Sequence, residues 1–305
     1  MNSPIAYRFV SSRDGTRLRT ATATAASGAT RRGVCVLLSG QTEFVEKYSE
    51  VIGELTARGF DVATLDWRGQ GGSQRALADP LKAHIRDFAE YDDDLSTFMD
   101  MVVRPMSDRA PIVLAHSMGG HILLRALHDR PTQFTAAVLS APMIRAQTRG
   151  YNPTLARAVC RVQNLLGRGD DWVWGMAERD PLKMGFADQL VTTDEARFQR
   201  TQAFIAAHPD IRLAGPTWGW LEAAYRSIAK MTAAGYPEAI ATPVLVCGAS
   251  RDQIVDTAAT AAFAKRLPNG TWFDMRDAEH EILMERDALR AQFWTAFDGF
   301  VKNCV

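Results

Sequence analysis

Short, continuous apolar runs alternate with helix-like segments along most of this 305-residue chain. Residues 33–40 and 60–66 form the first two runs, and a continuous apolar run of this length is typical of a strand buried on both faces. Between them, residues 48–58 carry apolar side chains at helical spacing, and Gly59 ends that segment. Strand–helix alternation of this kind predicts a parallel sheet with helices on both faces.

The same pattern extends toward both ends of the chain. A turn signal at residues 13–16 separates two short β-like pieces, 6–10 and 18–25, which predicts an opening hairpin. Further strands are predicted at residues 111–116, 136–140, 243–248 and 271–274. Further helices are predicted at residues 85–103, 119–128 and 289–301.

The alternation stops between residues 145 and 234, where no apolar run predicts a buried strand. This stretch has helical patterning and holds four of the seven tryptophans, which are Trp172, Trp174, Trp218 and Trp220. An insert of this size is large enough to form a subdomain. We therefore expect a core built from residues 1–145 and 234–305, with residues 146–233 as a helical cap.

Composition excludes several classes of protein. Thirty-five basic and 35 acidic residues give zero net charge, which argues against a nucleic-acid-binding protein. Residues 1–10 lack the apolar core of a signal peptide, and no run reaches the length of a membrane span. The four cysteines form no Cys-x-x-Cys pair, so we expect neither a metal site nor a disulfide framework, and we expect a cytoplasmic protein.

The first candidate for chemistry is Ser117, which follows a predicted strand and opens a predicted helix. A serine on so tight a strand-to-helix turn requires small residues two positions before and after it, and Ala115 and Gly119 occupy those positions. The turn exposes the serine Oγ and leaves the Met118 N–H at a helix N-terminus, where it can hold an anion. The alternative is an ordinary serine at a glycine-rich corner.

A serine nucleophile needs a base, and the base is usually oriented by an acid. Of the six histidines, His280 lies in the polar loop between the last strand and the last helix, where the order nucleophile, acid, base places the base. Asp252 follows the preceding strand and is the predicted acid. Asp256 is the alternative acid, but its position favours capping a helix that begins near Thr257.

Two N–H groups are expected to stabilise an oxyanion. Met118 supplies one, and the loop after the first parallel strand, residues 39–43, supplies the other through Gln41. Gly40 allows the backbone of this loop to approach closely. The alternative is a simple strand–helix turn.

A glycine-rich segment at residues 66–73 lacks the Lys-Ser/Thr ending of a phosphate loop, so it implies no nucleotide, and we interpret it as a turn near the site.

These motifs together resemble those of the α/β-hydrolase superfamily, in particular its branch of monoacylglycerol lipases and bacterial lysophospholipases L2. The matching segments are residues 39–43 with Tyr48, 66–73, 115–120, 248–252 with 255–256, and 279–283, and residues 210–218 look like the lysophospholipase L2 cap. Ser39 stands where the family commonly has His, and Ala115 where it usually has Gly. The resemblance implies an α/β-hydrolase fold with a mostly parallel, eight-stranded sheet and an inserted cap.

The resemblance also implies a serine hydrolase that cleaves carboxylic esters of lipids, such as lysophospholipids or monoacylglycerols, without a cofactor. Ser117, His280 and Asp252 would form the triad, with Gln41 and Met118 as the oxyanion hole. Other carboxylesterase, acyltransferase or small-peptide hydrolase activity on the same triad is the alternative, followed by a non-catalytic binding protein. Apolar residues of the cap suggest transient contact with a membrane surface. Arg157, Arg161 and Arg168 fall near one helical face, with Arg145 and Arg149 just before it, and they could meet phosphate head groups or an anionic membrane surface; the alternative is a solvated face.

Overall fold

The computed structural model describes residues 4–147, 152–177, 179–302 and 304. Eight strands form one sheet in the order β1-β2-β4-β3-β5-β6-β7-β8. Their bounds are β1 Ala6–Ser11, β2 Arg17–Ala23, β3 Gly33–Leu38, β4 Phe60–Leu65, β5 Ile112–His116, β6 Ala136–Ser140, β7 Val244–Ala249 and β8 Gly270–Met275. β2 runs antiparallel to both of its neighbours, and all pairs from β4 to β8 are parallel.

Eight α-helices accompany the sheet in the described residues. They are α1 Ser49–Ala57, α2 Ala89–Phe98, α3 Ser117–Asp129, α4 Pro153–Leu165, α5 Glu195–Ala207, α6 Trp218–Met231, α7 Thr257–Ala264 and α8 Asp287–Val301. None of the helices in this part of the chain is long and apolar enough to cross a membrane.

Two apolar clusters cover the two faces of the sheet, because successive side chains of a strand point to opposite sides. In β3, Val36 belongs to the cluster that contains α2 and α3, whereas Cys35 and Leu37 belong to the one that contains α1 and α8. The central strands β3, β5 and β6 are buried on both sides, which explains why their sequences are continuous apolar runs rather than alternating ones.

Two sequence-based expectations differ from the structure. The helix predicted at residues 85–103 begins only at Ala89, and its last turn, Met99–Val103, is a π-helix. Apolar Ile85 and Phe88 had extended the helical pattern, but both pack into the core from the loop before the helix. Within the region expected to hold no buried strand, Gly215–Pro216 forms a two-residue strand that pairs with Lys82–Ala83.

The predicted cap, residues 146–233, contains α4, α5 and α6 in its described part. Its last helix, α6, also contributes to the main core. Trp220 lies against Phe88, with ring centroids 6.0 Å apart, and Ser227 Oγ is 2.7 Å from His121 Nε2. α6 therefore joins the cap to the sheet layer, and the division into core and cap remains a proposal.

Candidate active site

Ser117 occupies a strained turn at the junction of β5 and α3. Its φ angle is +49°, a left-handed conformation that is rare for a residue with a Cβ. A Cβ added to Gly119 would lie 2.5 Å from the carbonyl oxygen of Ser39, so only glycine fits there. The strand–turn–helix geometry expected from the sequence is thus present, and Met118 is the second residue of α3, where its N–H has no intrahelical partner.

Ser117, His280 and Asp252 form one hydrogen-bonded chain. The Nε2 atom of His280 is 2.9 Å from Ser117 Oγ, and its Nδ1 atom is 2.7 Å from Asp252 Oδ2. Since the carboxylate can only accept, Nδ1 carries the proton, and Nε2 is free to accept the serine hydroxyl proton. All three residues are buried, so little water competes for these bonds.

Asp252 is further fixed by its own loop, whereas Asp256 faces elsewhere. Asp252 Oδ1 accepts hydrogen bonds from the N–H groups of Ile254 and Val255, at 2.8 and 2.9 Å. Asp256 caps α7 by accepting from the Ala259 N–H and pairs with Arg145. The structure therefore brings Asp252, and not Asp256, to His280.

The other five histidines make different contacts. Their partners are Thr217 for His84, Ser140 O for His116, Met143 O and Ser227 for His121, Tyr236 for His128 and Phe204 for His208. His116 is the one that also lies beside the triad, with its ring centroid 4.8 Å from that of His280. Burial lowers the pKa of His116 to about 4, so this imidazole is neutral at neutral pH.

The loop that holds Gln41 lies directly against the nucleophile. A Cβ on Gly40 would be 3.2 Å from the Cβ of Ser117. Among the described residues, the Gln41 N–H donates no hydrogen bond, and the buried Nε2 of the same residue also has no partner. Donors left unpaired beside a serine are suited to bind a developing oxyanion. The assignment of Gln41 and Met118 to an oxyanion hole remains a prediction.

A buried polar cluster, not identified from the sequence, holds this loop in place. Glu43 accepts hydrogen bonds from the Gly40 N–H and from the Tyr48 hydroxyl, at 2.5 and 2.6 Å. Lys47 Nζ lies 2.8 Å from Glu43 Oε1 and 2.6 Å from Glu281 Oε1. Burial alone would raise the pKa of Glu43, but Lys47 and the other groups around it outweigh burial and lower that pKa. The cluster joins the Gly40 loop to the residue that follows His280.

The segment at residues 66–73 supports the same loop from the opposite side. Trp67 Nε1 donates to the Ser39 carbonyl at 2.9 Å, and Gln70 Nε2 donates to the Gly40 carbonyl at 2.8 Å. Asp66 accepts from the Gly72 N–H and so stabilises the turn. The glycines of this segment predicted a turn, but the partners of Trp67 and Gln70 are set by tertiary contacts.

In the described residues no group of three potential metal ligands occurs.

The arrangement of sheet, strained serine, histidine and aspartate defines the class of α/β-hydrolases. Structural comparison supports this for the fold: a soluble variant of monoglyceride lipase from Saccharomyces cerevisiae superposes with a TM-score of 0.78. The superposition covers 100% of this chain and 98% of that one, at 16% sequence identity. The predicted α/β-hydrolase fold, with its mostly parallel eight-stranded sheet, is confirmed.

The chain belongs to the serine aminopeptidase S33 family, whose sequence model matches residues 29–287. Lysophospholipase L2 of Escherichia coli K12 is 33% identical over 266 residues, which cover 85% of this chain and 77% of the relative. Monoacylglycerol lipase of Mycolicibacterium smegmatis is 35% identical over 138 residues, or 45% of this chain and 47% of the relative. The resemblance to the lysophospholipase L2 and monoacylglycerol lipase branch is therefore confirmed.

Proposed function

We propose that this chain is a serine hydrolase that cleaves lipid esters with a single acyl chain, such as lysophospholipids and monoacylglycerols. The observation that carries the chemistry is the hydrogen-bonded chain from Asp252 through His280 to Ser117. Support for the substrate class comes from the names of the relatives, lysophospholipase L2 and monoacylglycerol lipase.

The reaction proceeds through an acyl-enzyme. Ser117 Oγ attacks the ester carbonyl carbon while its proton passes to Nε2 of His280, and the carbonyl electrons move onto oxygen. The N–H groups of Gln41 and Met118 bind this oxyanion. As the intermediate collapses, the C–O bond breaks and the alcohol leaves with the proton from His280. Water, deprotonated by the same imidazole, then releases the fatty acid and restores Ser117.

Neutral His116 suits this cycle. His280 becomes an imidazolium when it takes the serine proton, and a second imidazolium 4.8 Å away would oppose that step. Because burial holds the pKa of His116 near 4, His280 gains its proton next to an uncharged ring.

A fluorophosphonate probe tests the chemistry, and a substrate panel tests the substrate class. The probe should form one adduct, on the peptide that contains Ser117, and Ser117→Ala should remain folded while it loses both labelling and turnover. An adduct on another residue, or full activity of Ser117→Ala, would overturn the assignment.

The panel should contain lysophospholipids, monoacylglycerols, short esters, an aminoacyl amide and a competing alcohol acceptor. Preference for the amide, or acyl transfer to the alcohol, would favour the alternative activities.

The exposed face of α4 supports a further part of the proposal, peripheral contact with an anionic membrane surface. Four apolar side chains on or just after α4 are 52–77% exposed, and they are Leu155, Val162, Leu165 and Leu166. In the sequence they are spaced by seven, three and one residues, which places them on one side of the helix. Trp174, 70% exposed, adds a side chain favoured at membrane interfaces.

Exposed arginines lie on and just after the same helix, and their charge favours an anionic lipid surface over a neutral partner. Arg157, Arg161 and Arg168 are exposed. Arg145 pairs with Asp256 instead, and Arg149 lies outside the described residues. An apolar stripe bordered by arginines is typical of helices that lie in a membrane interface.

A cytoplasmic location is part of the same proposal. All four cysteines are free in the structure, which suits a reducing compartment. Cell fractionation followed by a salt wash tests both parts. Recovery with the membrane pellet at low salt and release at high salt is expected, and recovery from an oxidising compartment would contradict the location.

A further inference from the structure

Glu285 is a fully buried carboxylate at the end of the loop that carries His280. Its Oε1 atom accepts a hydrogen bond of 2.8 Å from the N–H of Glu279, the residue immediately before His280. The side chain thereby closes residues 279–285 into a compact loop with His280 inside it. A carboxylate bound to a backbone N–H is a strong, charge-assisted hydrogen bond, so it restrains the backbone next to the imidazole.

The other oxygen of Glu285 faces the cap. Oε2 accepts hydrogen bonds from the Thr193 N–H at 3.2 Å and from the Thr193 hydroxyl. It also accepts one from the Arg286 N–H at 3.3 Å. These partners are N–H groups and a hydroxyl rather than the cationic end of a side chain. Burying a carboxylate is costly unless its oxygens are bonded, so Thr193 is needed to satisfy it.

Two more hydrogen bonds join the same two segments. The Glu281 N–H donates to the carbonyl of Val191 at 2.7 Å, and the Thr192 hydroxyl donates to the carbonyl of Met284 at 2.7 Å. Residues 191–193 therefore run beside the loop at 279–285 and bond directly to Glu281, Met284 and Glu285, all of which follow His280. A shift of this cap segment must be transmitted to the loop.

The position of His280 matters because its imidazole must face Ser117 and Asp252 at once, at 2.9 and 2.7 Å. A displacement of about 1 Å in such a site can reduce the rate on the order of 100-fold. We propose that Glu285 is a positioning residue, which couples the seating of cap residues 191–193 to the orientation of His280. The proposal rests on the function proposed above, since it assigns a role within that triad.

A merely structural role for Glu285 makes a different prediction. If the carboxylate only stabilises the fold, its loss lowers the fraction of folded protein but leaves each intact site as active as before. If it positions His280, the intact sites themselves become slower. The endpoint of fluorophosphonate labelling counts the competent sites, so kcat for each labelled site distinguishes the two roles.

The principal variants are Glu285→Gln, which keeps the shape and removes the charge, and Thr193→Val, which removes the hydroxyl. Thr193→Ser keeps the hydroxyl and serves as the conservative rescue. Glu50→Gln is the matched control, because Glu50 binds Arg197 of the cap at 2.6 Å and Arg290 of α8 at 2.5 Å at the same corner of the molecule. Glu50 itself accepts no hydrogen bond from residues 279–285 among the described contacts. Its partners Arg197 and Arg290 donate to the carbonyls of Glu285 and Leu283, each at 3.0 Å, so this control also loosens the far end of the loop without touching the backbone next to His280.

The experiment measures Tm, the labelling endpoint, and kcat and KM for a soluble short-chain ester. Glu285→Gln should lower kcat per labelled site by about tenfold or more and change KM by less than about twofold. Thr193→Val should lower kcat in the same direction, and Thr193→Ser should restore it. Glu50→Gln should lower Tm without changing kcat per labelled site.

Unchanged kcat per site in both Glu285→Gln and Thr193→Val would overturn the positioning role and leave the proposed function intact. An equal loss of kcat per labelled site in Glu50→Gln would also overturn the positioning role, since any loosening of that corner of the molecule would then slow the enzyme. If Glu285→Gln does not fold, Thr193→Val and its serine rescue carry the test. A wild-type protein that neither reacts with the probe nor cleaves any ester would overturn the proposed function and this proposal together.

Discussion

Lys47 and Glu281 are 234 residues apart in the chain, yet Lys47 Nζ and Glu281 Oε1 are 2.6 Å apart. Lys47 also binds Glu43, which holds the Gly40 N–H. The loop with the candidate oxyanion donor and the loop with the candidate base are thus joined by a largely buried ion pair. Breaking such a pair leaves an unpaired buried charge, so both loops depend on it.

This pair gives the first prediction. Lys47→Met should lower the free energy of unfolding by about 3–5 kcal/mol, because it leaves Glu43 and Glu281 without their cation. Urea unfolding measures the change. Arg13→Met is the control, because Arg13 pairs with Asp93 at the surface, where an ion pair contributes no more than about 1 kcal/mol. Equal losses in the two variants would contradict the prediction.

The two candidate acids should respond differently to the loss of charge. Asp252→Asn should lower kcat on the order of 10⁴-fold, because the amide favours the wrong tautomer of His280. Asp256→Asn should leave kcat within a few-fold, since Asp256 caps α7 and asparagine is also a good cap. Steady-state kinetics on both folded proteins measures this. The opposite ranking would transfer the acid role to Asp256.

The glycine two residues after the nucleophile should resist substitution. In Gly119→Ala the new Cβ would lie 2.5 Å from the Ser39 carbonyl oxygen, so the Gly40 loop or α3 must shift. We expect a loss of about 1–3 kcal/mol in stability, measured by urea unfolding, together with reduced kcat. Gly299→Ala in α8 is the control, because its Cβ meets no atom within 4 Å and should not destabilise the helix. Wild-type kcat in Gly119→Ala would show that the loop tolerates the shift.

Stability should fall on acidification. Burial lowers the pKa of His116 to about 4 and that of His121 to about 3, both below the value of about 6.5 in the unfolded chain. At pH values below about 6.5 but above these lowered pKa values, the unfolded chain binds more protons than the folded protein. The free energy of unfolding therefore decreases as pH falls through this range. At pH 5 the lowered pKa of each histidine should reduce the free energy of unfolding by on the order of 2 kcal/mol.

Urea unfolding between pH 7 and pH 5 measures this slope. His121→Asn should be less stable at pH 7, because His121 bonds Met143 and Ser227, but its slope should be smaller by one proton, about 1.4 kcal/mol per pH unit. A slope equal to that of the wild type would show that His121 does not titrate as its burial implies.

The exposed face of α4 should control membrane binding. Leu165→Asp combined with Leu166→Asp should reduce binding to anionic vesicles on the order of tenfold or more, since burying one leucine contributes roughly 1.5–3 kcal/mol. Vesicle sedimentation with and without anionic lipid measures this. Met101→Asp is the control, because Met101 is equally apolar and exposed but lies outside the cap. A dimer in solution that the α4 variant dissociates would assign this face to a second copy of the chain instead.

Chain length should determine the preference among esters. Each CH₂ of an acyl chain that leaves water contributes about 0.8 kcal/mol, so kcat/KM should rise from acetyl to medium or long single-chain esters. The same panel should show weaker cleavage of diacyl lipids. Assays below the concentration at which each substrate forms aggregates remove the effect of micelles. Preference for acetyl esters would overturn the lipid-ester proposal.

Patterns within single segments were enough to predict most of the fold. The central strands β3, β5, β6 and β7 are buried on both faces, so each is a continuous apolar run, and the turn at Ser117 needs small neighbours that the sequence displays. Asp252 and His280 could also be proposed, because each lies in the loop that follows its strand. Ile85 shows the limit: its apolar side chain continued a helical pattern, although it packs into the core from a loop.

Only the tertiary structure decided which distant side chains meet. Glu43 and Glu281 share Lys47, Gln70 binds the Gly40 carbonyl, and Glu285 joins the His280 loop to Thr193. Apart from Glu43 and Lys47, which are four residues apart, none of these partners is encoded by spacing, because hydrophobic periodicity reports only which face of its own segment a residue occupies. Their contacts arise where the loops at the carboxyl ends of parallel strands converge. The sequence therefore determined the sheet and the candidate triad, and the packing of loops and cap determined the groups that hold the triad in place.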